Sequence, residues 1–63
     1  MFCRIECLNR DERGRTRVVF ERYRSAASLV EMMAFADHER AARGAAGYRL
    51  RDLHTDEVKE FWD

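Results

Sequence analysis

One segment of the chain, residues 25–43, has a helical pattern, and it lies between segments whose apolar residues alternate with a period of two. Ser25 or Ser28 can cap its start, Ser28 followed by Glu31 matches a capping box, and Gly44 supplies the stop at its end. At 100° per residue one wide arc collects the small and apolar side chains Ala26, Leu29, Val30, Met33, Ala34, Ala36 and Ala41. A lone amphipathic helix has no second helix to pack on, so this pattern predicts a helix laid on a sheet.

Three segments have the composition of strands: residues 2–8, 16–24 and 48–54. Between the first two, the polar residues 9–15 contain Gly14 and predict a hairpin loop. The order β-β-α-β plus a tail predicts a single α+β domain over residues 1–63. It has two layers, with one helix packed on a three- to four-stranded, mainly antiparallel sheet.

The tail, residues 55–63, can be interpreted in two ways. Val58, Phe61 and Trp62 have the spacing of a short helix, for which Thr55 or Asp56 would be the cap. Alternatively, residues 58, 60 and 62 alternate as a fourth strand. We expect the helix.

Composition excludes several classes of protein. No apolar run approaches the roughly 20 residues of a membrane span, and 46% apolar residues at zero net charge argue against a disordered chain. Because charges interrupt the first residues, we expect no signal peptide, a cytoplasmic location and reduced thiols. A domain of 63 residues has few residues available to line a pocket of about 300 Å³. Binding is therefore expected at the surface.

Charge is divided unevenly along the chain. Residues 1–24 contain seven Arg against four acids, and residues 25–63 contain five cations against eight acids. This asymmetry indicates either a face for a polyanion or two complementary patches on one body, and the zero total favours the second. The Ala- and Arg-rich, Lys-poor usage is also typical of GC-rich coding, a bacterial-like composition.

No pattern indicates catalysis, a metal or a cofactor. The possible metal ligands, Cys3, Cys7, His38 and His54, form neither CxxC nor HxxxH. On one strand the two cysteines lie about 13 Å apart, too far for a disulfide, and we expect both to be buried thiols. No glycine-rich loop follows a strand and no nucleophile has an adjacent base. We therefore predict that the protein is not an enzyme and has no cofactor.

Two features point to a contact surface. Phe35 falls in the middle of the polar arc of the helix, where tail residues such as Trp62, or another chain, would cover it. The second feature is the sheet face opposite the helix, which no other element covers. If Cys3, Ile5, Val18, Phe20 and Leu50 face the helix, that outer face carries Phe2, Arg4, Glu6, Leu8, Arg17, Val19, Glu21, Tyr23, Arg49, Arg51 and Leu53.

We therefore predict a small protein–protein interaction module, expected to be a homodimer that associates through the outer face, through Phe35, or through both. The side chains expected to bind the partner are Phe35, Tyr23, Val19, Arg49 and Trp62.

The alternative is a nucleic-acid-binding module that uses the arginine-rich hairpin and an Arg/Tyr sheet face. Its phosphate and base contacts would come from Arg15, Arg17, Arg49, Arg51 and Tyr23. Glu6 and Glu21 on the same face would repel phosphates. Affinity that falls steeply with salt would distinguish this alternative from an apolar interface.

Overall fold

The computed structural model describes every residue, Met1–Asp63. Its elements are β1 (Phe2–Arg10), β2 (Thr16–Ser25), α1 (Leu29–Ala42), β3 (Gly47–Asp52) and β4 (Val58–Trp62). All neighbouring strands pair antiparallel in the order β2-β1-β3-β4. The helix packs over the two central strands, β1 and β3. The predicted α+β architecture is confirmed.

Local chemistry sets both ends of α1. The Ser28 hydroxyl accepts a hydrogen bond from the Glu31 N–H at 3.2 Å, and the Glu31 carboxylate accepts one from the Ala27 N–H at 3.0 Å. The first bond satisfies a donor that the helix start leaves free, and the second ties the residue before the cap to the first turn. At the other end Gly44 has φ +62°, the left-handed conformation that closes a helix. The predicted cap and stop are confirmed.

The tail is strand β4, so the expected short helix is wrong. Asp56 takes φ +62° inside the connecting turn, and the following residues pair with β3 from Arg51↔Val58 to Gly47↔Trp62. Pairing with β3 also stacks the Phe61 ring on Tyr48 at 4.9 Å between centroids. A five-residue helix would be marginal on its own, whereas a strand gains partners from the existing sheet.

The core lies between α1 and the two central strands. Its buried members are Cys3, Ile5, Met32, Ala36, Tyr48 and Leu50. Both cysteines are free and buried, as expected. Burial in apolar surroundings raises the pKa of both thiols, which keeps them protonated and unreactive.

The helix presents a different face from the predicted one. Val30, expected in the apolar arc, is 77% exposed, and Ala34 and Ala41 are also exposed. Met32 is buried instead, and Phe35, expected on the polar side, packs against the core. Burying an alanine gains little free energy compared with burying a large apolar side chain. The large side chains therefore determine which face of the helix packs on the sheet.

A β-bulge corrects the predicted faces of β2. Cys7 pairs with Phe20, but the next residue, Leu8, pairs with Val18, which leaves Val19 as an extra residue. Val18 therefore shares the outer face with Leu8, although it was expected to face the helix. Arg17 moves to the opposite face from the one expected.

Candidate functional site

The outer face of the sheet is covered at its centre by charged side chains. Glu6 is only 5% exposed although no element lies over it. Arg49 Nη1 lies 3.2 Å from its carboxylate and Arg4 Nε lies 3.9 Å away. Arg49 Nε also lies 3.1 Å from Glu60 Oε2. These side chains neutralise one another, so the middle of this face is a closed network.

Trp62 closes one end of the same face. Its ring lies over Gly47, where a Cβ atom would come within 2.8 Å of Trp62 Cε3. The Arg10 guanidinium also lies over the indole, 4.0 Å from its centroid. Trp62 Nε1 donates to Glu60 at 2.7 Å, and this bond, helped by Arg49, lowers the pKa of the Glu60 carboxyl.

Phe35 is covered within its own chain. Arg24 of β2 places its guanidinium 3.5 Å from the ring centroid, and the ring packs against the core. Trp62 lies on the opposite face of the sheet, so the tail does not cover Phe35.

Guanidinium groups make two more contacts between β2 and the region of the helix, one of them from Arg43 just after α1. Arg43 stacks on Phe20 at 3.3 Å, and Arg22 Nη1 lies 3.4 Å from Glu39 Oε1. No buried side chain of β2 enters the core. The strand is therefore attached to the helix by arginines at the surface.

The long edge of β2 has no neighbour. The strand is first in the sheet order and nine of its ten residues are exposed. Among them, Val19 is 50% and Tyr23 is 53% exposed. An edge strand presents unpaired backbone N–H and C=O groups along its length.

The hydrogen bonds beside β2 show which of its backbone groups point outward. Met1 and Ala26 exchange two backbone bonds, at 3.0 and 2.9 Å. Because direction alternates along an antiparallel ladder, Arg24 and Arg22 also bond to β1. The backbone groups of the intervening residues, Glu21, Tyr23 and Ser25, therefore point away from the sheet.

The arginines at the β1–β2 hairpin differ in whether they have a carboxylate partner. Arg15 is held by Asp11 at 3.3 Å, whereas Arg13 and Arg17 form no ion pair. The concavity at this hairpin measures about 670 Å³ but is open to solvent, and Val19 is its only apolar lining residue. The other cavity, beneath Met1, holds only about 20 Å³.

The residues predicted to bind a partner are divided between two environments. Tyr23 and Val19 are exposed on β2, while Arg49, Trp62 and Phe35 are engaged within the chain. Of the residues predicted to bind nucleic acid, Arg49 and Arg15 hold the carboxylates described above, and Arg51 Nη1 lies 2.9 Å from Asp56 Oδ1.

Sequence reasoning missed the backbone edge itself, together with Arg22 and Arg24 beside it. The alternation of β2 was visible in the sequence, but the absence of a second neighbour depends on the strand order. No local signal in the sequence encodes that order.

No group of three or more His, Cys, Asp or Glu side chains is arranged to hold a metal ion. The single helix is too short and too polar to cross a membrane. Comparison with protein-family models, with curated proteins and with solved structures finds no match to this chain.

Proposed function

We propose that this protein is a non-enzymatic protein-interaction module that binds another polypeptide along the free edge of β2. The observation that carries the proposal is the row of outward backbone groups at Glu21, Tyr23 and Ser25 on an exposed ten-residue strand. An extended segment can add to such an edge as a further strand, with main-chain hydrogen bonds supplying affinity.

The rest of the surface supports this choice. The Glu6 network covers the middle of the outer face and Trp62 covers one end of it, and no enclosed cavity reaches the size of a ligand site. Val19 and Tyr23, two of the residues predicted to contact a partner, lie on this strand. The expected homodimer would place a second copy of the chain on this edge, an arrangement that the charges of β2, considered below, disfavour.

Selection of peptides from a random octapeptide library tests the proposal. Tyr23→Pro removes one outward N–H without touching the bonds from β2 to β1, and edge strands tolerate such a proline. Tyr23→Ala is the matched control, because it removes the side chain and keeps the N–H. We expect selected peptides to bind the wild type and Tyr23→Ala but not Tyr23→Pro. Peptides that bind all three proteins equally would contradict the proposal, as would the failure of the library to yield any binder.

Nucleic-acid binding at the hairpin is the second candidate. Arg13 and Arg17 have no carboxylate within ion-pair distance, and guanidinium groups suit phosphates. Retention of single-stranded DNA by the wild type at low salt, lost at high salt and in Arg13→Glu/Arg17→Glu, would support it. A wild type that shows no retention at low salt would exclude it.

A further inference from the structure

From the charges beside the free edge we infer that its occupant is an extended acidic segment of a different polypeptide, paired along Phe20–Ser25. The inference rests on the proposed function and adds the chemistry of the partner.

The bulge sets the length of the paired segment. Val19 interrupts the regular strand, so the uninterrupted edge runs from Phe20 to Ser25. The outward backbone N–H and C=O groups belong to every second residue, Glu21, Tyr23 and Ser25, and can form one side of an antiparallel or parallel ladder. A partner strand of about six residues would match this stretch, and a longer one would meet the bulge.

Two arginines flank the edge on the side of the helix. The Arg24 guanidinium lies over the Phe35 ring, with its Cζ 3.5 Å from the centroid, and has no carboxylate partner. This stacking leaves the N–H groups in the guanidinium plane free to donate to a carboxylate of the partner. It also restricts the arginine side chain before the partner binds. Arg22 contacts Glu39 at 3.4 Å and lies over the Phe20 ring, 5.4 Å from its centroid, and its side chain is 46% exposed. Two residues apart on one face, they fit two acidic side chains at alternate positions of a partner strand.

The other face of the edge requires different chemistry. Glu21 forms no ion pair and would repel an acid placed opposite it. Tyr23 lies beside Phe2, with ring centroids 6.3 Å apart, and presents an apolar surface. The partner segment should therefore alternate, with acidic residues towards the helix side and apolar residues towards the outer face.

A second copy of β2 fits this edge poorly. Two antiparallel copies related by a twofold axis must set one residue opposite its own copy. Centred on Glu21, Arg22 or Arg24, the pairing sets like charges directly opposite each other. Centred on Tyr23, it sets each Arg22 opposite the Arg24 of the other copy. Like charges in these positions destabilise a strand pair. Centred on Phe20 or Ser25, the pairing would run into the bulge at Val19 or past the end of the strand.

A titration of the isotope-labelled full chain with two designed peptides tests the inference. One is an acetylated and amidated seven-residue peptide that alternates Val and Glu, and the other replaces every Glu by Lys. We expect the Glu peptide to shift the amide resonances of Phe20–Ser25 and to bind about tenfold more tightly than the Lys peptide. A copy of the Glu peptide with N-methyl groups on alternate amides keeps the charge and should lose binding.

Matched variants of the protein separate the edge from general charge. Arg24→Gln and Arg13→Gln each remove one positive charge, and only the first should weaken the Glu peptide, by about threefold. Arg24→Glu should reduce or reverse the preference for Glu over Lys. Resonances away from β2 report whether each variant is folded, and Arg22→Gln replaces any Arg24 variant that is not.

Five results would overturn the inference. Equal binding of the two peptides at the edge would leave the proposed function standing and refute the acidic partner. Absence of binding, or undiminished binding of the N-methylated peptide, would refute strand pairing by an acidic segment. Shifts of Phe20–Ser25 that grow with protein concentration alone would identify a second copy as the occupant. The same shifts, at equal affinity, with single-stranded DNA would show that the site accepts any polyanion.

Discussion

The neighbouring strands β1 and β2 are almost equal in length, at nine and ten residues, but five residues of β1 are buried and none of β2. Both contain several large apolar side chains. The difference lies in their neighbours, since β1 has a strand on each side and the helix above it, whereas β2 has one strand and a few arginine contacts. Position in the sheet, rather than composition, decides which strand forms the core and which is available for binding.

The largest expected effect is a loss of stability on truncating a residue of β1, compared with the same kind of change in β2. Ile5→Ala empties a fully buried position and should lower the free energy of unfolding by about 2–5 kcal/mol. Val19→Ala, at a half-exposed bulge position, should change it by no more than about 0.5 kcal/mol. Urea denaturation measures both. Comparable losses in the two variants would show that β2 belongs to the core.

Gly47→Ala tests whether Trp62 closes the outer face. The added Cβ would lie 2.5 Å from the Phe61 carbonyl oxygen and would also meet the indole. Overpacking of this kind should cost about 1–3 kcal/mol and displace the ring. Tryptophan fluorescence and denaturation report the two effects. An unchanged spectrum at unchanged stability would contradict the packing described for Trp62.

A double-mutant cycle tests the attachment of β2 to the helix through Arg24 and Phe35. The single variants Arg24→Ala and Phe35→Ala, with the double variant, isolate the pairwise energy, and we expect a coupling of about 0.5–1 kcal/mol. An additive cycle would show that the stacked geometry contributes nothing to the position of the strand.

The smallest expected effect is a dependence of the free energy of unfolding on pH. It arises from carboxylates in the turns at the two ends of the sheet. In the β1–β2 hairpin, Asp11 accepts hydrogen bonds from the N–H groups of Arg15 and Arg13, which lowers the pKa of its carboxyl. In the β3–β4 turn, the N–H groups of His54 and Thr55 lower the pKa of Asp52 in the same way.

Because these folded pKa values lie below the unfolded value of about 3.9, the unfolded chain takes up the protons first. The stabilisation is complete above that pH and is lost as the pH falls through the folded values. Urea midpoints at pH 7 and pH 3 measure the loss, and Asp11→Asn and Asp52→Asn should each reduce it. Equal stability of the wild type at the two pH values would contradict the stabilisation of the two turns by Asp11 and Asp52.

Local chemistry made much of the fold predictable. The cap at Ser28, the stop at Gly44 and the hairpin glycine at Gly14 each act within a few residues, so their roles follow from the sequence. The strands were identifiable because the period-two pattern reflects burial on one face.

The remaining features depend on tertiary contacts. The sequence leaves the orientation of the alanine-rich helix ambiguous. In the structure, Phe35 contacts Arg24 on β2 and packs against the core. Pairing with β3 decided between the helix and the strand for the tail. The bulge at Val19 exchanged the faces of Val18 and Arg17, a shift that no local pattern indicates.

Amide hydrogen exchange along β2, measured residue by residue at low protein concentration, tests most directly whether this edge is open for a partner. The N–H groups of Arg22 and Arg24, bonded to β1, should be protected, while those of Glu21, Tyr23 and Ser25 exchange at nearly the rate of an unstructured chain. Uniform protection of all five would contradict the account, since it would mean that the outward groups are already bonded in the isolated protein.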